Sequence, residues 1–188
     1  MNTEMMLLSK VLSCLSGYEL LLNRSVYEWM EKFQIEESQK CTFNKEFLIL
    51  AASYINRITL ESGCDDFISN GAVFTEALCL QFKMDKNSIE CDSPEDARMI
   101  KTLLDIAGRA QHYDAVIHIR NAGSKDFDAF FAEFYEKYHI PCHFYDGASQ
   151  IKKLVESISK DIEIPRVRSV DSVIWEEIQA ITLKTKRS

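Results

Sequence analysis

Only three prolines and six glycines are spread over 188 residues, which leaves little room for long flexible linkers and excludes a collagen-like or low-complexity chain. No apolar run approaches the roughly 20 residues that a transmembrane helix needs. The start, Met1-Asn2-Thr3-Glu4, carries neither a basic n-region nor a small-residue cleavage site, so no signal peptide is expected and a cytoplasmic location is. Positive charge is also scarce. Lys and Arg total 22 against 29 Asp and Glu, a net charge of −7, which argues against a broad electrostatic grip on nucleic acid. The six cysteines form no CxxC pair and no His stands at zinc-finger spacing, so a structural zinc site is not expected.

What is present is ordinary globular material. Hydrophobic residues make up 46% and charged residues 27%, and the length suits one α/β domain with a helical extension. Cysteines such as Cys79, inside Ala77-Leu78-Cys79-Leu80, read as small hydrophobes in a reducing compartment.

Periodicity orders the elements. Met5, Leu8, Leu12, Leu15 and Leu22 predict an amphipathic helix over 4–22, with Leu20 to Leu22 thickening its stripe, and Tyr27, Met30 and Phe33 a short second helix. The polar stretch Glu36 to Lys40 marks the boundary of an N-terminal helical extension, residues 1–40. A core over 41–164 should begin with a helix capped by Asn44, running through Ile58 and ending before Gly63. Asn70-Gly71, between the apolar runs 65–69 and 72–83, predicts an antiparallel hairpin. Ser93-Pro94-Glu95-Asp96 opens a helix that should end near Gly108. Then come a strand over 115–119, a phenylalanine-rich helix capped by Ser124, a strand over 141–145 and a helix from Ile151 to Ile158. This succession predicts two parallel strands joined by a right-handed crossover, in a small mixed sheet with flanking helices. Residues 165–188 read as a last helix around Ile174 to Leu183 and a basic tail.

The chemistry-bearing stretch is Gly63-Cys64-Asp65, the hairpin, and then Leu80-Gln81-Phe82-Lys83. On a strand, Gln81 and Lys83 would project from one face, where a carboxylate from the partner strand could meet them. An acid, a second oxygen ligand and a lysine are the minimum for divalent-metal phosphodiester cleavage. The element order and these residues, from about Phe43 to Ile158, resemble the Mrr-type restriction endonuclease domain, a branch of the PD-(D/E)XK nucleases. The resemblance implies a restriction-endonuclease-like core in which Asp65, Gln81 and Glu46 hold Mg2+, with Gln81 and Lys83 catalytic and nucleic acid as substrate. It also admits a degenerate descendant without activity. Met84-Asp85-Lys86 departs from the family pattern, and Asp66 competes with Asp65.

Each residue has a plainer reading. Asp65 or Asp66 could form a turn, Lys83 could be a solvated end, and Glu46 could be a favourable first-turn acid. His118, His139 and His143 lack a Ser or Cys partner and read as structural. Two other functions therefore stand beside the nuclease. One is an acidic, non-enzymatic protein that binds or inhibits a basic partner such as a toxin or a DNA-binding protein. The other is a nucleotide-binding sensor that uses the turn from Asn121 to Ser124. The N-terminal stripes need cover, from the domain or from a second copy in a homo-oligomer.

Overall fold

The computed structural model describes residues 3–35, 42–89, 93–110, 113–120, 124–146, 151–161 and 172–173. The chain is mixed α/β. Among the described residues it forms, in order, α1 (Thr3–Ser16), β1 (Glu19–Leu21), α2 (Val26–Lys32), α3 (Phe43–Glu61), β2 (Phe67–Ser69), α4 (Thr75–Asp85), α5 (Pro94–Ala110), β3 (Val116–Ile119), α6 (Lys125–Lys137), β4 (Cys142–Tyr145) and α7 (Ile151–Asp161). No described helix is long and apolar enough to cross a membrane.

Two parallel ladders form the centre, β1 on β2 and β3 on β4. The crossover expected between β3 and β4 is present, with α6 as its helix and Val116 opposite Cys142 in register. Side chains on β3 alternate between two cores, as a strand covered on both faces requires. Val116 packs with α3, α4, α5 and α6, whereas Ile117 and Ile119 pack with α1 and α7. Ile68 of β2 packs against the same core as Ile117 and Ile119, so the two separate two-stranded sheets share that core. Partial desolvation, and then the carboxylates of Asp66 and Asp114, raise the Tyr18 phenol above its usual range. These three residues precede β1, β2 and β3.

Several expectations are corrected. The first helix stops at Ser16, because Gly17 adopts φ 77 and its amide closes on the Ser13 carbonyl. Leu20 and Leu21 then belong to β1 rather than to a helical stripe. The stripe of α1 packs with α7, Tyr145 and Val173. Among the described residues the expected hairpin and mixed sheet are not formed: β2 pairs in parallel with β1, and Thr75 to Asp85 is helix α4. Ala77, Leu80 and Met84 are buried at spacings of three and four, a helical stripe, in a segment rich in helix formers. The last helix expected, around Ile174 to Leu183, lies outside the described residues.

Other elements obey their sequence signals. Ser25 and Glu28 form a reciprocal capping box at α2. α4 runs antiparallel to α6: Phe74 stacks near Phe134 and Tyr135 at one end, and Phe82 meets Phe127 and Phe130 at the other. Cys79 packs on this core, and burial pushes its thiol up to about 12.

A polar cluster fixes α3 against the carboxyl ends of β1 and β2. Asn70 accepts from the Asn23 amide at 2.8 Å and donates back to the Asn23 carbonyl at 3.1 Å, extending the ladder by a side chain. Asn23 in turn donates to Ser53 Oγ at 2.7 Å. Arg57, 3% exposed, donates to Ser69 Oγ at 2.7 Å, to the Gly71 carbonyl at 2.8 Å and to Glu76 at 3.3 Å. Gly71 is required here, since its φ is 150 and a Cβ would lie 2.8 Å from Arg57 Nη2. Burial raises the Glu61 carboxyl above its usual range, although Tyr113 donates to it.

Replacing Arg57 by methionine roughly keeps the volume but strands the Gly71 carbonyl and removes the cation beside Glu76, which retains the Ser53 hydroxyl as a donor. Urea denaturation of the Arg57→Met variant is expected to show a loss of about 3–5 kcal/mol. A loss below about 1 kcal/mol would mean that the cluster does not hold α3 in place.

Candidate functional site

The residues that the sequence pattern assigned to a metal site lie on α3, α4 and the turn before β2. Glu46 stands in the first turn of α3 and accepts an ion pair from Lys83 at 2.5 Å. Those two are brought together. Asp65 is exposed in the bend after the far end of α3. From Glu46 to Glu61 the helix rises about 22 Å, at about 1.5 Å per residue. Ligands of one Mg2+ ion each sit at about 2.0–2.1 Å from it, so Glu46 and Asp65 do not fit one ion.

Gln81 lies on helix α4 and not on the strand expected of it. On a helix, residues two apart point about 200° from one another, so Gln81 and Lys83 do not share a face as they would on a strand. The Gln81 side chain donates to Asp85 at 2.7 Å, one turn further along α4. Among the described residues no three His, Cys, Asp or Glu side chains converge as a metal site.

Of His118, His139 and His143, the first ties the fold together, while His143, contrary to expectation, has a serine beside it. His118 is buried on β3, with Nε2 2.9 Å from Asp128 and Nδ1 3.2 Å from the Tyr135 hydroxyl, and so ties the strand to both ends of α6. His143 meets Ser157 on α7, and His139 takes φ 53 where the chain leaves α6.

A different place has the form of a ligand site. The chain leaves β3 into α6 on one face of the strand layer, and leaves β4 toward α7 on the opposite face. Where neighbouring parallel strands send their connections to opposite faces, a crevice opens outside their carboxyl ends, and ligands of open α/β sheets bind in such crevices. Arg120 and Asp146, directly after the two strands, pair at 3.3 Å across their carboxyl ends. The Arg120 guanidinium covers the half-exposed Phe144 ring, 4.5 Å from its centroid.

Ser124 is the N-cap of α6, but its side chain makes no capping hydrogen bond. The acids of that first turn are engaged elsewhere: Asp128 by His118 and Asp126 by Lys86 at 2.8 Å. Of the turn from Asn121 to Ser124, which the sequence offers as an anion cradle, Asn121 to Gly123 lie outside the described residues. Arg120 and Phe144 carry no sequence signal, because a single arginine after a strand makes no motif. Arg57 does leave one, since it continues the buried seven-residue spacing of Phe43 and Leu50 with a charge.

Comparison with protein-family models, with curated proteins and with solved structures finds no match.

Truncating His118 leaves Asp128 and Tyr135 without their partner and opens a cavity, so His118→Ala is expected to cost about 2–4 kcal/mol in urea denaturation. Lys83→Ala breaks a half-exposed pair and is expected to cost less than about 1 kcal/mol. The reverse ranking would contradict the structural role of His118.

Proposed function

We propose that this chain is a non-enzymatic binding domain that takes a small anionic ligand of the nucleoside phosphate class at the carboxyl ends of β3 and β4. The observation that carries this reading is the divergence of α6 and α7 to opposite faces directly after those two parallel strands. Arg120 would meet the anionic group together with the first-turn amides of α6, where the helix dipole favours negative charge. A planar base would stack on the Arg120 guanidinium, which itself lies over the Phe144 ring. The net charge of −7 favours a small ligand over a polyanion, because a nucleic acid backbone is held by many clustered cations.

The nuclease reading needs Asp65, Gln81 and Glu46 at one ion with Lys83 beside it, whereas the length of α3 stands between Glu46 and Asp65. The reading as an acidic protein that binds a basic partner shares the absence of catalysis but draws on net charge alone.

Isothermal titration of the full chain with nucleoside mono- and diphosphates is expected to give saturable binding. Arg120→Glu should weaken it at least tenfold while Lys83→Ala leaves it unchanged. With Mg2+ present, DNA and RNA should remain intact. Absence of binding to every nucleotide would remove the proposal, and metal-dependent cleavage lost in Lys83→Ala would restore the nuclease.

A further inference from the structure

Helix α5 turns Ile100, Leu104 and Ala107 into the core, and Gly108 lies so close to Tyr138 that a Cβ there would be 2.7 Å from the ring. Beside this buried face runs a second apolar stripe. Met99, Leu103 and Ile106 stand at spacings of four and three, and they line a shallow surface groove with Glu95, Arg98 and Thr102. Met99 is 41% and Ile106 55% exposed, although both are large and apolar. Extended by Ala110, the stripe has the alternating four-three spacing of a coiled-coil seam.

The charges along the seam are self-complementary. The first turn of α5 is acidic, with Glu95 and Asp96, and the last is basic, with Arg109. Two copies of the helix laid antiparallel about a two-fold axis near Thr102 would place Met99 against Ile106 of the other copy. The same register sets Glu95 beside Arg109 of the other copy, twice by symmetry. Antiparallel packing also opposes the two helix dipoles. A parallel pair would instead put acid against acid and base against base.

We infer that a second copy of this chain docks on α5, forming an antiparallel two-fold dimer through Met99, Leu103 and Ile106. One helix face is small for an interface, below the roughly 1,200 Å² that stable complexes bury, so the dimer is concentration-dependent. The residues of the seam are distinct from those proposed to meet the ligand, and the inference does not rest on that ligand.

Sedimentation velocity of the full chain over a concentration series tests this. The mean mass should rise toward twice the chain mass, and Ile106→Glu or Met99→Lys should hold it at the monomer value with an unchanged circular dichroism spectrum. Glu95→Arg and Arg109→Glu should each weaken association at least severalfold, and the two together should restore it, because the symmetric pair regains opposite charges. A monomer at every concentration, a dimer that survives Ile106→Glu, or a double charge exchange that fails to restore association would overturn the inference.

Discussion

Arg57 is the interaction on which the rest of the structure leans. A guanidinium with 3% exposure is costly to bury, and its desolvation is offset only by well-placed acceptors. It finds them on three separate segments: Ser69 at the end of β2, the Gly71 carbonyl in the next turn, and Glu76 at the start of α4. Because Arg57 sits on α3, one side chain sets the height of that helix on the strands and fixes the direction in which the chain leaves β2. Asn23 and Asn70 do the same for β1, replacing backbone pairing with side-chain hydrogen bonds where the short strands end. Strands of three residues carry few ladder bonds, and this polar cluster supplies the pairing they lack.

The direction taken after β2 decides which functions the fold admits. The chain turns at Gly71 into α4, which runs back antiparallel to α3 and brings Lys83 to Glu46. That pairing satisfies two charges within the fold and leaves Asp65 at the opposite end of α3. The arrangement after β3 and β4 is different in kind. Arg120, Asp146 and Phe144 stay half-exposed, and the helices diverge there instead of closing over the strand ends.

Much of the helical half of the fold is legible in the sequence. The capping box at Ser25, the proline and acids opening α5, and the β3-α6-β4 crossover are local signals, and each survives in the structure. Gly71 is the turn residue that Asn-Gly predicts, but the turn leads into a helix and not into a hairpin, because the dipeptide marks a sharp turn without specifying the element beyond it. The segment after Gly71 is ambiguous at short range, since Leu80 and Phe82 alternate like a strand while Ala77, Leu80 and Met84 repeat like a helix. Tertiary burial against α3, α5 and α6 decides for the helix. The expected pairing of Gln81 with Lys83 on one face depended on that choice, since residues two apart share a face only on a strand. The β3–β4 crevice, by contrast, depends on which face each helix covers, and no local pattern encodes that.

Amide chemical-shift mapping by nuclear magnetic resonance, with a nucleoside diphosphate titrated into the labelled chain, tests the central claim most directly. The account predicts saturable shifts confined to residues next to the carboxyl ends of β3 and β4, namely Arg120, Ser124, Lys125, Phe144 and Asp146. Shifts centred on Glu46, Asp65 and Lys83 on addition of Mg2+, with the β3–β4 residues unmoved by any nucleotide, would contradict it.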